Sequence, residues 1–276
     1  MAISNFISTV WSENLYKELD KQYIAVANCN RDYEGEIKNR GSSVKICGIG
    51  NITIGDYSKN SDMFPPQALS DTVVELTIDQ AKYFNFQIDD IDKAQSSPKL
   101  MDAAMSIAAS SLANEADKYI YKLHDYCGSI LAVNEPTAES LLSSIIEARR
   151  ILHENNVSDV SEIVIEVSPA VASLILKAKI SISNDNSETL EKGCLGSICG
   201  CKVFVSNNID ALDGYHKCFM RTKRAISFAE QLSEIVAYHP EKRFADAIKG
   251  LHLYGASVIY PSEFVVLDVA VDNIMI

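Results

Sequence analysis

A long stretch without helical periodicity, from Arg31 to Asp92, constrains the fold of this chain more than any other feature. In its first half, isoleucines are separated by glycines, a pattern that suits a twisted or bulged strand. In its second half, apolar residues occupy alternate positions from Val74 to Ile88, interrupted only at positions 80 and 82, as in a strand with one buried face. A polar segment that contains Pro65-Pro66 separates the two halves and predicts a turn. We therefore predict a long two-stranded arm.

Such an arm cannot be stable alone. An isolated two-stranded hairpin is only marginally stable in water, because it has no further layer against which to bury its apolar face. The arm must therefore lie on another surface, either that of its own domain or that of a neighbouring copy of the chain. This requirement is the first physical indication of self-assembly. The indication no longer holds if the segment folds inward as part of a compact, self-sufficient monomer.

Two helices are predicted after the arm. Ser97 is a suitable N-cap residue, Pro98 suits the first helical position, and Gly128 is expected to end the first helix. Apolar residues recur between them at spacings of three and four, and a helix of about 28 residues would be about 40 Å long. A second helix is predicted over 137–154. Strand patterns dominate the remainder, apart from a short helix after Ser168-Pro169, so the predicted fold class is α+β.

Composition and charge narrow the classes of function. The chain has 276 residues, of which 47% are hydrophobic and 22% charged, which is enough apolar material for one or two folded domains. Its formal net charge of −12 repels nucleic-acid phosphates, so affinity-driven DNA binding is not expected. The seven cysteines are odd in number and scattered, which predicts free thiols in a reducing cytosol and not a disulfide framework.

Neither an export signal nor a membrane segment is predicted. The first ten residues lack a basic region followed by an apolar run, so no signal peptide is expected. No apolar stretch approaches the run of about 20 residues that crosses a bilayer. We therefore expect no membrane partner.

Several short segments resemble the major capsid proteins of tailed bacteriophages. The most specific is the run Ile78–Phe86, continuing to Asp92, which resembles the strand that leaves the extended loop of that family and leads into its long spine helix. The other matching segments are Asn30–Ile37, Gly50–Tyr57, Ile146–Val157, Val167–Pro169, Val205–Asn208, Ala225–Gln231 and Gly250–Ala256. No single segment is diagnostic, but all of them occur in the order that the family shows.

The resemblance implies the Hong Kong ninety-seven type fold, which tailed-phage coats share with encapsulin compartments. In this α+β fold, an N-terminal arm and an extended β-hairpin loop lie across neighbouring subunits. A peripheral domain carries the spine helix, and an axial α/β domain points toward the five-fold and six-fold axes. Carried over to this chain, the N-terminal arm is 1–32, the extended loop 33–79, the peripheral domain 80–132 with 251–276, and the axial domain 133–250.

The function that the resemblance implies is structural. A major capsid protein of this type assembles with itself, through pentamers and hexamers, into the icosahedral head shell that encloses phage double-stranded DNA without sequence-specific binding. Portal and scaffolding proteins are the other implied partners; the virion is the implied location, and the bacterial host cytoplasm the place of assembly. No cofactor, metal ion or catalytic residue is expected. The candidate subunit-interface residues are Trp11, Tyr33, Glu36, Lys38, Arg40, Lys45, Tyr57, Lys59, Asp62, Glu241, Lys242 and Arg243.

Two other functions stay open at this point. An encapsulin-type compartment would have the same fold and would hold a cargo enzyme instead of DNA. A cytosolic thiol-dependent enzyme would need a cysteine beside a histidine, but the five histidines fall in separate predicted elements, without a catalytic motif around a cysteine. Activity lost on alkylation of Cys199 or Cys201 would favour the enzyme.

Two possible metal sites have plainer interpretations. Cys199 and Cys201 would share one face of a predicted strand and could bind a metal, but no second pair exists at suitable spacing, so small buried residues are the preferred interpretation. The carboxylates of Asp89, Asp90 and Asp92 could bind a cation, but they lack the spacing of a calcium loop. Favourable negative charge before a helix is the preferred interpretation there.

Charged residues of the arm and of a later turn could act between subunits. Lys38, Lys45 and Lys59 lie in the arm, and some relatives cross-link loop lysines to asparagines of neighbouring subunits. A cross-link here would show as bands above monomer size when mature particles are run on a denaturing gel. The triplet Glu241–Arg243 could form ion pairs between subunits, although a solvated turn, where such pairs contribute about 0–1 kcal/mol, is slightly preferred.

Overall fold

The computed structural model describes most of the chain. The described residues are 15, 17–33, 41–49, 54, 56, 59, 62, 71–89, 99–157, 159–177, 194–232, 235–241 and 245–271. Within them, residues 15 and 17–22 are helical, and the helices with defined bounds are α1 (Lys99–Tyr121), α2 (Ala138–Glu154) and α3 (Pro169–Lys177). The strands are β1 (Ser43–Ile49), β2 (Asp71–Thr77), β3 (Gln80–Asp89), β4 (Ser129–Val133), β5 (Ile163–Val167), β6 (Cys194–Ile198), β7 (Cys201–Val205), β8 (Ala211–Leu212), β9 (Tyr215–Thr222), β10 (Ile226–Leu232), β11 (Val236–Tyr238), β12 (Ala245–Val258) and β13 (Phe264–Ala270).

These strands form three sheets. β1 and β2 make a two-stranded antiparallel sheet. In a four-stranded antiparallel sheet, the long strand β12 pairs with β3 on one edge and with β10 and β11 on the other. A seven-stranded mixed sheet has the order β4-β13-β9-β5-β7-β6, with β8 paired to β9. Its parallel pairs are β4 with β13 and β5 with β7.

Two apolar cores lie on opposite faces of the seven-stranded sheet. In β13, Phe264 and Val266 belong to the core that α1 covers, whereas Val265 and Leu267 belong to the core that α2 and α3 cover. Because both faces of this strand are covered, its sequence is a nearly continuous apolar run without polar alternation. The first core also includes β10, β12 and buried residues of the N-terminal segment, which we define as residues 15–33. The domain boundaries inferred from the resemblance stay a prediction.

The structure confirms the second predicted helix, including its start. The Thr137 side chain is the N-cap and accepts a hydrogen bond from the Ser140 N–H, while the Ser140 hydroxyl accepts one from the Thr137 N–H. The buried residues of α2 are Leu141, Ile145, Ala148 and Leu152. Their spacing of three and four places them on one face of the helix, against the seven-stranded sheet.

The first predicted helix is also present, but the role of Gly128 differs from the predicted one. α1 is continued by a 3-10 helix, Lys122–Tyr126, and the predicted start at Ser97 lies outside the described residues. A β-carbon at Gly128 would lie 2.3 Å from the carbonyl oxygen of Pro261. Glycine is therefore needed for the close approach of two backbones, which the helix-stop interpretation did not foresee.

The predicted single strand from Val74 to Ile88 is wrong, because it is two strands in different sheets. β2 pairs with β1 in the arm, whereas β3 pairs with β12 in the body of the subunit. The ladder of the arm ends at Ile78, whose N–H donates to the Ser42 carbonyl. The next residue, Asp79, accepts a hydrogen bond of 2.9 Å from the Tyr119 hydroxyl of α1. These contacts hold the junction at the point where the chain leaves the arm.

The close approach at Gly128 leads to a stability prediction. Gly128→Ala should lower the free energy of unfolding by about 1–3 kcal/mol, because the added methyl group would force the 261 backbone away. Urea denaturation of the purified chain measures this change. Ala132→Ser, an exposed change on the neighbouring strand β4, should stay within about 0.5 kcal/mol of the original chain. Equal stability of Gly128→Ala and the original chain would show that the backbones do not meet at this position.

Candidate assembly surface

The arm is an antiparallel ladder with one apolar and one charged face. β1 and β2 pair in register from Ser43 opposite Thr77 to Ile49 opposite Asp71. The four residues on the apolar face, Val44, Ile46, Leu76 and Ile78, are buried. On the other face, the exposed side chains of Lys45 and Glu75 lie directly opposite each other. The described strands thus confirm the prediction of a two-stranded arm.

The base of the arm, meaning β1 and β2, lies on the outer face of the four-stranded sheet. Its four buried residues pack against Ala229 of β10 and Leu253 of β12. A β-carbon at Gly255 would lie 2.1 Å from the Thr77 carbonyl oxygen, so the arm backbone approaches β12 directly. The apolar face of the base is therefore covered by its own subunit, which is one of the two surfaces considered from the sequence.

More distant parts of the arm are exposed in the single subunit. The Ile54 side chain, which follows β1 in the chain, is 93% exposed. Within the base itself, the Val73 side chain on the charged face is 49% exposed. Asp56, Lys59 and Asp62 are exposed as well. An aliphatic side chain as exposed as Ile54 contributes almost nothing to the stability of one subunit, and it is accessible to another copy of the chain.

The outer face of the four-stranded sheet also continues beyond the base of the arm. Tyr83, Val236 and Leu251 are exposed there and line a shallow pocket of about 280 Å³. Lys249 projects from the same face, with its ammonium 5.2 Å from the centroid of the Tyr238 ring. The part of the outer face that lies beyond the base of the arm is therefore apolar, and Lys249 places a positive charge at its edge.

A buried carboxylate of α1 fixes the N-terminal segment to the body. The Asp117 carboxylate accepts hydrogen bonds of 3.0–3.1 Å from the N–H groups of Ile24, Ala25 and Val26. Burial raises the pKa of Asp117 to about 7, although these three N–H donors favour the charged form and oppose the shift.

A fully buried ion pair in the centre of the subunit also contacts the N-terminal segment. The Arg221 guanidinium of β9 contacts the Glu166 carboxylate of β5 at 3.1 Å, and both side chains are 0% exposed. Arg221 also donates to the carbonyls of Asn28 and Ala25, and the Asn28 amide donates to Glu166. Burial raises the pKa of Glu166, and Arg221 and Asn28 oppose that shift.

The burial of these charges was not predicted from the sequence, although a signal was present. Asp117 interrupts the apolar stripe of α1, Glu166 interrupts the apolar run of β5, and Arg221 follows the apolar centre of β9. A single charge inside an apolar run indicates a buried partner, because an unpaired buried charge costs several kcal/mol. The partner itself was not visible, since it lies on another strand or in the N-terminal segment.

The predicted interface residues divide into three groups. Tyr33 packs against the apolar cluster at the base of the arm, within its own subunit. Lys45, Lys59, Asp62 and Glu241 are exposed, so they are accessible to a second copy. The candidates outside the described residues are Trp11, Glu36, Lys38, Arg40, Tyr57, Lys242 and Arg243. Their part in contacts between subunits stays a prediction.

The structure corrects the prediction that Cys199 and Cys201 lie in one strand. Ile198 is paired with Cys201, so Cys199 and Gly200 form the two-residue turn of a hairpin. Both turn residues have positive φ, 52° and 84°, as a tight hairpin turn requires. Cys201 is fully buried, in keeping with the preferred interpretation as a small core residue.

Neither a metal-binding cluster nor a helix able to span a membrane is found among the described residues. Among the residues that the structure describes, no group of three or more histidine, cysteine, aspartate or glutamate side chains is arranged to hold a metal ion. Asp89 ends β3, while Asp90 and Asp92 lie outside this part of the chain. None of the helices described above combines the length and the apolar character that a bilayer crossing requires.

Comparison with solved structures identifies the fold. A structure from Mycobacterium phage Che8 has a TM-score of 0.70 and 29% identity, and the match covers 89% of this chain and 91% of that one. The capsid of cyanophage P-SCSP1u has a TM-score of 0.66 and 14% identity over 88% and 86% of the two chains. A virus-like particle from Pyrococcus furiosus has a TM-score of 0.58 and 12% identity over 92% and 96%. No family model matches the chain, and no curated protein matches it.

These matches confirm the resemblance inferred from the sequence. The chain has the α+β fold of the capsid shell proteins of the Hong Kong ninety-seven type.

The raised pKa of Asp117 predicts how stability depends on pH. The folded chain holds this proton more tightly than the unfolded chain, so stability falls as pH rises from the unfolded value of 3.8 through about 7. The side chain of Asp117→Asn does not titrate. Between about pH 5 and pH 7.5, the free energy of unfolding of the original chain should therefore fall by about 1–3 kcal/mol more than that of this variant. Denaturant titrations at each pH measure this change.

The control for this prediction is Asp32→Asn, because Asp32 is an exposed residue of the same N-terminal segment. This variant should follow the original chain at every pH. If Asp117→Asn showed the same pH dependence as the original chain, the carboxyl would not titrate within that range.

Proposed function

We propose that this chain is a structural shell-building subunit, the major capsid protein of a tailed bacteriophage. The observation that carries the proposal is the capsid fold, matched over 89% of the chain by a structure from a phage. The arm supports it, because its base is held by the subunit while Ile54 is left 93% exposed. In a shell, such a side chain would be buried against a neighbouring copy. Many such contacts, each weak, would act together in a closed particle.

The finer parts of the proposal concern partners and location. The subunits would form pentamers and hexamers of an icosahedral head shell, with portal and scaffolding proteins as further partners. The shell would enclose double-stranded DNA without sequence-specific binding. The net charge of −12 supports this, because a negatively charged protein does not attract DNA phosphates. Assembly would take place in the host cytoplasm, and the finished protein would be in the virion.

The proposal assigns no catalysis to this chain. The candidate thiol Cys201 is buried, and burial raises its pKa to about 11, which disfavours the reactive thiolate. Cys199 lies in a hairpin turn, where its carbonyl accepts a hydrogen bond of 2.7 Å from Arg149. These features support a structural role for both cysteines.

Electron microscopy of the expressed chain tests the proposal directly. Closed shells are the expected result. Ile54→Ser should abolish or strongly reduce them while the free energy of unfolding of the subunit stays within about 0.5 kcal/mol, because this side chain is exposed in the single copy. Leu76→Ala is the contrasting variant, since Leu76 is buried in the base of the arm and its truncation should cost about 2–5 kcal/mol of subunit stability.

A chain that stays monomeric under all conditions of purification and concentration would contradict the proposal. Normal shell formation by Ile54→Ser would contradict only the part of the proposal that concerns the arm, because it would show that the Ile54 side chain is not needed for contacts between copies.

An encapsulin-type compartment is the alternative that the Pyrococcus furiosus particle supports. The two functions differ in what the particle holds. Nucleic acid inside particles from the natural source, or neighbouring portal and terminase genes, would favour the phage head. A co-purifying cargo enzyme, or a neighbouring cargo gene, would favour the compartment.

A further inference from the structure

Gly255 of β12 is a point of direct backbone contact between the arm and the body of the subunit. A β-carbon at this position would lie 2.1 Å from the carbonyl oxygen of Thr77 and 3.1 Å from the α-carbon of Ile78. Both atoms belong to the backbone, so a change of rotamer cannot relieve such a contact. The two backbones can therefore lie this close only because residue 255 is glycine.

The strand β12 is held in place at this point. Gly255 is paired with Ala229 of β10, and the preceding residue, Tyr254, is paired with Gln80 of β3. On the face of the sheet opposite the arm, Tyr254 packs in the core that α1 covers. The base of the arm, in contrast, is covered only on its apolar face, since the side chains of its charged face are exposed. A methyl group at position 255 would therefore displace the arm and not the sheet.

A second contact holds the exit of the arm beside Gly255. The Tyr119 hydroxyl of α1 donates a hydrogen bond of 2.9 Å to the carboxylate of Asp79, two residues after Thr77. The Tyr119 ring packs edge-on against the Tyr254 ring of β12, with centroids 5.5 Å apart, so the body of the subunit fixes its position. Two neighbouring contacts thus determine where the arm leaves the subunit and in which direction it points.

The length of the arm amplifies any displacement at this point. The ladder of β1 and β2 has seven residue pairs and is about 23 Å long at 3.3 Å per residue. Its buried residues, Val44, Ile46 and Leu76, lie in the half next to Thr77. A displacement of about 1 Å at Thr77 would therefore tilt the ladder and move its far end by about 3 Å or more. The exposed Ile54 follows that far end in the chain.

We propose that Gly255 is a positioning residue for self-assembly: together with the Tyr119–Asp79 hydrogen bond, it sets the direction of the arm and thereby whether Ile54 reaches a neighbouring copy. This inference rests on the proposed shell function, because only a contact between copies depends on that direction. Replacement of Gly255 leaves every side chain of the arm intact and changes only where the arm presents them.

The first experiment measures the direction of the arm in single subunits of the full chain. Spin labels are attached to non-canonical amino acids that replace the exposed Lys59 and Lys122, and pulsed electron paramagnetic resonance gives the distance between them. In Gly255→Ala, the most frequent distance should shift by about 3 Å or more from that of the original chain. Gly250→Ala is the matched control in the same strand, because its β-carbon would meet the Phe84 ring at 2.7 Å and not the arm. This control should leave the distance unchanged.

The second experiment relates the direction of the arm to assembly. Electron microscopy should show at least about fivefold fewer closed shells for Gly255→Ala than for Gly250→Ala, because a small loss at each contact between copies is multiplied over the particle. An unchanged distance in Gly255→Ala, or equal yields of shells from the two variants, would overturn the inference. Absence of shells from the original chain would instead contradict the proposed function, and the distance would still decide whether Gly255 sets the direction of the arm.

Another variant keeps the test decisive if Gly255→Ala does not fold. Tyr119→Phe removes only the hydroxyl group, and it should broaden the distribution of the same distance at least about 1.5-fold, because the exit of the arm loses its hydrogen bond to α1. Asp79→Asn keeps an oxygen that accepts this hydrogen bond, so its distribution should match that of the original chain. A distribution of unchanged width in Tyr119→Phe would then count against the inference.

Discussion

The burial of the Arg221–Glu166 ion pair is the constraint on which the rest of the subunit depends. Both side chains are fully buried, and each buried ion costs several kcal/mol unless its partners are complete. The strands β5 and β9 supply the pair itself, and Ala25 and Asn28 of the N-terminal segment supply three further hydrogen bonds to it. The seven-stranded sheet can therefore hold its central charges only when the N-terminal segment is docked, and this makes the segment part of the subunit core.

The long strand β12 connects this core to the arm. On one of its faces, Ile248 and Tyr254 pack toward α1 and the N-terminal segment, and on the other face Leu253 packs under the base of the arm. The alternation of side chains along one strand thus places the arm and the segment on opposite sides of the same sheet. The arm leaves the subunit from a firmly packed base, and only its more distant residues are available to a neighbour. A shell subunit needs both properties, a rigid body and a protruding element that is satisfied by another copy.

Sequence reasoning succeeded where the physical cause is local. The capping residues of α2 and the apolar spacing of its buried face lie within a few positions of each other, and both were found. The alternation in β2 and β3 was also found, but its interpretation as one strand was wrong, because the change of partner at Ile78 depends on β12, far along the chain. The hairpin turn at Cys199 was missed for a different reason, since a cysteine at positive φ is an uncommon choice for that position.

The sequence by itself determined the α+β class, the two-stranded arm, the positions of α2 and α3, and the resemblance to phage capsid proteins. These properties follow from short-range patterns and from the order of matching segments. Only the tertiary structure decided which strands pair and which charges are buried together. Strand pairing and ion pairing join residues such as Glu166 and Arg221, or Glu230 and Arg31, that are distant in the chain. No local pattern specifies such partners, because the free energy that selects them comes from burying both groups in one place.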